Sequence, residues 1–276
     1  MSASTLRREL ARLRRAAERA PASAEDLPDP VTWAETVSGR KLDPWQRDLM
    51  RDASPRVLLL CSRQVGKSFC VALKAAYEAA HRPGTVLVLA PSLRQSSLLF
   101  GTIEATLKAA RPSLRFTEAN RSTIAIAGGG RVVCLPGDRP DLVRGYAASL
   151  VLIDEAAFVR DQVPAVLTPT LATTGGKLIC LSSPAGPRGF FYGAWTGEAE
   201  WQRIRVLASD CPRISPAFLE DARQRLGELA YRQEVLAEFV QSAQALFGAD
   251  DLDRMFAAAP APEAWLKPAD AAPFLA

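Results

Sequence analysis

The chain is 276 residues long, 48% hydrophobic and 23% charged, the balance of a soluble globular protein, for which one large domain or one domain plus appendages is expected. Its net charge of +4, from 34 Lys and Arg against 30 Asp and Glu, permits a nucleic-acid partner without demanding one. No apolar run approaches the roughly 18 residues that span a bilayer, and the arginine-rich N-terminus lacks the apolar core of a signal peptide, so a cytoplasmic protein with no membrane partner is expected.

Residues 5–20 place Leu6, Leu10, Leu13 and Ala17 on one helical face, ringed by Arg7, Arg8, Arg12, Arg14, Arg15 and Arg19. This reads either as a solvated leader helix or as a basic helix that touches DNA or a neighbouring subunit. A proline-rich connector over residues 21–30 follows. The apolar run 57–61 then reads as a strand, and it feeds Ser62-Arg63-Gln64-Val65-Gly66-Lys67-Ser68 and a helix-like segment over residues 69–80.

A strand, a tight loop ending in Gly-Lys-Ser and a helix make a phosphate-binding P-loop, which implies ATP as ligand. Backbone N–H groups of residues 62–68 and the positive helix end cradle the phosphates. Lys67 reaches the β- and γ-phosphates, and the Ser68 hydroxyl coordinates Mg²⁺. Cys61 stands where the motif's first glycine is expected, so the entry to the loop is expected to differ in geometry, because Cys lacks glycine's freedom at positive φ.

Further strands are expected at residues 85–90, 132–135, 150–153 and 177–182, separated by helical stretches, which indicates βαβ units in a mostly parallel sheet with helices on both faces. Residues 123–127 and 131–135 flank Gly128-Gly129-Gly130 as an antiparallel hairpin added to that sheet. The strand over 150–153 ends in Asp154-Glu155. Asp154 is placed to hold Mg²⁺ through water, while Glu155, facing the other way by strand alternation, is placed to polarise the attacking water. In such sheets ligands bind at the carboxyl ends of strands, where Ser182-Ser183-Pro184 also lies.

Residues 216–226 and 228–240 read as two helices that turn near Gly227, a small lid. The tail from Phe247 reads as a linker, and its Asp250, Asp251 and Asp253 as solvated charge. The five cysteines, odd in number and without C-x-x-C spacing, read as small buried hydrophobes. Tyr192, Trp195 and Trp201 read as core or lid packing.

Taken together, Pro44-Trp45-Gln46, the Ser62–Ser68 loop, Arg144-Gly145, Ile153-Asp154-Glu155-Ala156-Ala157-Phe158 and Ser182-Ser183-Pro184 resemble the ATPase domain of viral large terminases, over about residues 40–247. The resemblance implies an α/β P-loop NTPase of the ASCE type with a helical lid and an N-terminal helical extension. It divides the chain into an N-terminal helix and connector (1–38), an ATPase core (39–210), a lid (211–247) and a linker tail (248–276). It implies a motor that couples ATP hydrolysis to double-stranded DNA packaging into a procapsid. The implied partners are further copies in a ring on a portal and a small terminase subunit, in the host cytoplasm.

The same resemblance makes Gln46 an adenine-side contact, Arg63 a phosphate sensor, Arg144 an arginine finger for the neighbouring subunit, and Ser182 and Ser183 coupling residues. Arg139 competes with Arg144 for the finger. The family's nuclease domain has no counterpart in this chain, so no nuclease activity is expected of it, whether the chain is half of a longer protein or a natural ATPase without a cutter. The alternatives are a helicase-like or defence ATPase acting on nucleic acid, and a nucleotide-binding scaffold without turnover.

Overall fold

The computed structural model describes residues 27–110 and 115–241. The expected basic helix over 5–20 and the tail aspartates Asp250, Asp251 and Asp253 lie outside them. The elements in chain order are helices α1 (Pro30–Ser38) and α2 (Pro44–Arg51), strand β1 (Arg56–Cys61), α3 (Lys67–His81), β2 (Thr85–Ala90) and α4 (Leu93–Ala110). Then come β3 (Phe116–Ala119), β4 (Thr123–Ile126), β5 (Arg131–Pro136), β6 (Ala148–Asp154), α5 (Val163–Ala172) and β7 (Lys177–Ser182). The chain continues through α6 (Gly189–Thr196), β8 (Gln202–Val206), α7 (Pro216–Leu226) and α8 (Glu228–Glu234).

One sheet runs in the order β3-β4-β5-β2-β6-β7-β1-β8. From β5 to β8 all neighbours are parallel, and β4 and β3 are added antiparallel at one edge, so the expected hairpin is present. The parallel strands inside the edge strand β8 are apolar nearly throughout because both faces are covered. Alternate residues go to opposite sides: Val57, Leu59, Val86, Val88 and Leu152 pack with α3 and α4, while Leu58, Leu60, Leu87, Leu89 and Ile153 pack with α5 and α6 residues such as Leu167 and Phe191. All five cysteines are buried and unpaired. Trp195 and Trp201 pack against the second of these clusters, and Tyr192 meets Phe239 edge-on at 5.0 Å. Among the described residues no helix is long and apolar enough to cross a membrane.

Several elements carry too weak a local signal for sequence reading. The edge strand β3 alternates between partly buried and exposed positions, and β8 is exposed or partly buried until Val206, so neither forms an apolar run. Helix α1, which composition groups with the connector, packs through Val31 and Ala34 into the core beside α3. Helix α8 stops at Glu234, six residues before the end expected from the pattern, because the carbonyls of Glu234 and Val235 accept bonds from Arg63 and Ser62 instead of continuing the helix. Lys74, buried on α3, donates to the carbonyls of Leu49, Met50 and Asp52 at 3.3, 2.8 and 3.4 Å, satisfying the C-terminal end of α2. Burial pushes its ammonium pKa down.

Asp29 holds the start of α1. Its carboxylate accepts from the Thr32 N–H at 2.8 Å and from Arg51 Nε at 2.9 Å, and the Arg51 bond, ahead of the cap, holds its pKa well below the usual carboxylate range. Asp29→Ala is expected to lower stability by about 1 kcal/mol at neutral pH, the typical cost of a lost cap. Because the folded pKa is depressed, that contribution is complete above the unfolded value near pH ~4 and is lost as pH falls toward the folded one. Urea titrations of both proteins at pH 7 and pH 3 check this, with the gap between them shrinking at the lower pH.

Candidate functional site

The loop between β1 and α3 lies at the carboxyl edge of the sheet. Cys61 remains in β1, paired in register with Val206, and its backbone stays outside the left-handed region. The positive φ angles fall instead at Gln64 (58°) and Gly66 (95°), so this loop makes its turn without a glycine at position 61. At Gly66 a Cβ would come within 2.9 Å of Gln46 Nε2, so both backbone and space demand glycine there. The N–H groups of Gln64, Val65 and Gly66 donate to no backbone carbonyl among the described residues, and the first N–H groups of α3 have no partner within the helix. Donors with no internal partner at a positive helix end suit a phosphate chain.

Two carboxylates converge on this loop. Asp154, the last residue of β6, accepts from Ser68 Oγ at 2.7 Å. Burial pushes its pKa up, the Ser68 bond opposing the shift. Glu155 follows in the left-handed conformation, φ 51° and ψ 49°. Strand alternation alone would turn it away from Asp154. The backbone twist instead brings its Oε1 to 3.4 Å from Lys67 Nζ. Its Oε2 accepts from Ser182 Oγ, Ser183 N and Ser183 Oγ at 3.2, 3.3 and 3.2 Å.

Lys67 is 6% exposed and also donates to the Ser62 carbonyl at 3.5 Å. Its ammonium therefore lies between the loop and Glu155. Arg63, Gln64, Gly66, Lys67, Ser68, Pro91, Gln95, Glu155, Phe158 and Ser183 contribute to the walls of a cleft of about 670 Å³. The structure thus gathers Arg63, Lys67, Ser68, Asp154, Glu155, Ser182 and Ser183 in one place.

Of the other residues singled out in the sequence, Gln46 adjoins the loop while Arg144 and Arg139 lie outside the cleft. Gln46 is fully buried; its Oε1 accepts from the Asp43 N–H at 3.0 Å and its Nε2 donates to the Gly66 carbonyl at 3.4 Å. Arg144 is exposed and lines a separate hollow with Tyr146, Val166 and Pro169, away from the cleft of its own chain. Arg139 is engaged with Asp141 at 3.3 Å.

Residues 58–254 match the family described as terminase large subunit, T4likevirus-type, N-terminal. The chain belongs to that family. Among curated relatives it is 25% identical over 244 residues to the terminase large subunit of Thermus phage G20c, covering 75% of this chain and 50% of the relative. It is 27% identical over 199 residues to that of Escherichia phage T5, covering 69% and 45%. The chain therefore spans about half the length of these curated relatives.

Among solved structures, the large terminase ATPase domain of Thermus phage P74-26 superposes with a TM-score of 0.65 at 22% identity, over 75% of this chain and 97% of that one. The large terminase of a thermophilic bacteriophage, solved in complex with ADP, gives 0.59 at 17% identity, over 72% and 53%. These likenesses fix the terminase P-loop fold, a mostly parallel sheet between helices.

Sequence reading missed two groups that grip this terminase-type loop. Glu234 on α8 accepts from the Arg63 N–H through its carbonyl at 3.1 Å and pairs with Arg63 Nε at 2.6 Å, while Ser62 Oγ donates to the Val235 carbonyl at 2.5 Å. Arg213, beyond β8, donates to the Val65 carbonyl at 3.0 Å. Neither lies in a motif, and neither is near the loop in sequence, so no local signal marks them. Ser62→Ala removes a buried bond between the loop and the end of α8. The expected result is a loss of about 1 kcal/mol in stability and faster hydrogen exchange at the amides of Val235 and Leu236, measured by mass spectrometry or NMR.

Proposed function

We propose that this chain is the ATP-hydrolysing motor of a large terminase, coupling ATP turnover to translocation of double-stranded DNA into a viral procapsid. The observation that carries the reading is the convergence of Lys67, Ser68, Asp154 and Glu155 beneath a loop whose Gln64, Val65 and Gly66 N–H groups have no backbone partner among the described residues. Ser68 and Asp154 offer two hard oxygen donors 2.7 Å apart, a set that suits Mg²⁺, a cation that usually keeps several waters and phosphate oxygens among its ligands. Bound there, the cation would neutralise charge on the phosphate oxygens.

The chain's own residues supply the rest. The N–H groups of residues 64–68 and the Lys67 ammonium hold the β- and γ-phosphates in place. Glu155, whose carboxylate is fixed by Ser182 and Ser183, orients the attacking water and takes up its proton. Arg63 answers to the terminal phosphate, which would compete with Glu234 for the guanidinium. The tether from Glu234 and Val235 to the loop supports reading α7 and α8 as a lid that follows the nucleotide. Exposure of Arg144 away from its own cleft supports a role in a neighbouring copy's site, and hence a homo-oligomeric ring. A portal, a small terminase subunit and the host cytoplasm complete this assignment.

Glu155→Gln is expected to keep ATP binding but reduce turnover by about 10²- to 10⁴-fold, since an amide cannot accept the proton. Lys67→Ala should instead weaken binding itself. Isothermal titration beside a phosphate-release assay checks both, and wild-type turnover by the glutamine variant would remove Glu155 as catalytic carboxylate.

Arg144→Ala should bind ATP normally yet hydrolyse it slowly, as arginine fingers in other P-loop enzymes contribute about 10³- to 10⁵-fold. Mixed with Glu155→Gln, it should recover part of the activity at interfaces where an intact Glu155 meets an intact Arg144. Absence of rescue in mixed oligomers confirmed by mass spectrometry would place Arg144 outside the neighbour's site. DNA stimulation of wild-type turnover, measured against protein concentration, tests the motor reading as a whole.

A further inference from the structure

The strand order decides which way a nucleotide lies on the loop. Asp154 ends β6 with Glu155 next to it, Ser182 ends β7 with Ser183 next to it, and β7 is the neighbour of β1 on that side. The terminal phosphate therefore belongs on the β6–β7 side of the loop. A nucleotide laid along the loop carries its nucleoside the other way, toward β8, the neighbour of β1 on its opposite side. The chain leaving β8 passes through the turn Ala208–Asp210 and reaches Cys211 and Arg213.

At that end stands a solvent-facing cation. Arg213 Nη2 donates to the Val65 carbonyl at 3.0 Å, pairs with Asp43 Oδ2 at 2.9 Å and lies 3.0 Å from Cys211 Sγ. Every one of these contacts runs through Nη2, so Nε and Nη1 are unengaged among the described residues. The side chain is 51% exposed, whereas that of its partner Asp43 is 7% exposed. A Cβ at Gly66 would come within 3.3 Å of Nη2, so the guanidinium lies directly against the loop. Gln46, by contrast, is wholly buried with both ends of its amide bonded to backbone. Its chemistry here is to brace the loop, whereas Arg213 at the same end faces solvent and is able to meet a ligand.

We propose that Arg213 forms the nucleoside wall of the site: anchored to Asp43 and the Val65 carbonyl through Nη2, it presents its remaining N–H groups and flat face to the ribose and purine of the bound nucleotide. A guanidinium is a donor with no acceptor, which fits ring nitrogens and ribose oxygens, and its plane stacks on aromatic rings. This subsite rests on the ATP-binding reading above and adds a contact that neither the loop motif nor the carboxylates supply.

The test separates nucleoside from phosphate. Binding of ATP, ADP and inorganic tripolyphosphate, each with Mg²⁺, is measured by calorimetry for the wild type, Arg213→Ala and Arg213→Lys, with thermal melting to establish that each is folded. Arg213→Ala is expected to weaken ATP and ADP by about tenfold or more beyond whatever loss the freed Val65 carbonyl causes for tripolyphosphate, the scale of one charged hydrogen bond. Arg213→Lys keeps a cation beside Asp43 but not the planar fork, so it should show the same selective loss to a smaller degree, and it carries the test if the alanine variant fails to fold. Equal losses for all three ligands would reduce Arg213 to a brace of the loop and overturn the proposal, as would no loss for any. A wild type that binds tripolyphosphate but not ATP would also overturn it while leaving the phosphate site intact. A wild type that binds none of the three would instead defeat the ATPase reading on which it stands.

Discussion

A loop that offers its N–H groups to a ligand cannot use them to hold itself, and this constraint organises the molecule around residues 62–68. The loop is fixed from outside, through its carbonyls, its side chains and its first two amides. Gln46 donates to the Gly66 carbonyl from α2, Arg213 to the Val65 carbonyl from beyond β8, and Lys67 to the Ser62 carbonyl from within. On the remaining side Ser62 and Arg63 engage the end of α8. Every segment that contributes such a bond is mechanically tied to the phosphate site, which is why helices distant in sequence surround it.

The second organising feature is electrostatic. Lys67 and Asp154 are both buried, and burial pushes the Asp154 carboxyl pKa up. Glu155 lies beside the ammonium, and Ser68 donates to Asp154, so each charge has a partner that offsets part of its desolvation. A triphosphate adds further negative charge where Lys67 and the loop N–H groups point, so the site is arranged around charge that the protein by itself does not supply.

Glu155 adds strain to this arrangement. A left-handed backbone at a non-glycine residue costs on the order of 1 kcal/mol, and here it is held by three donors from Ser182 and Ser183. The result is a carboxylate on the same side as Asp154, aimed at the ammonium, where straight continuation of β6 would have sent it to the other face of the sheet. The end of β7 thus positions a group that belongs to β6.

The apolar runs of β1, β2, β6 and β7 were legible in the sequence because parallel strands buried on both faces leave no polar interruption. The Gly-Lys-Ser loop and the Asp-Glu pair were legible because phosphate binding needs those residue types at fixed local spacing. Helix α1 and the edge strands β3 and β8 were not, since their patterns are short or half-exposed and gain definition from the neighbours they pack on. Tertiary structure alone decided the side on which Glu155 faces, the early end of α8 at Glu234, the burial of Gln46 and the approach of Arg213 to Val65. Each depends on bonds between residues 20 to 173 positions apart, from Gln46 to Gly66 and from Ser62 to Val235. Local sequence encodes backbone preference and the chemistry of a motif; which carbonyl a distant side chain meets is fixed only when the strands take their order in the sheet.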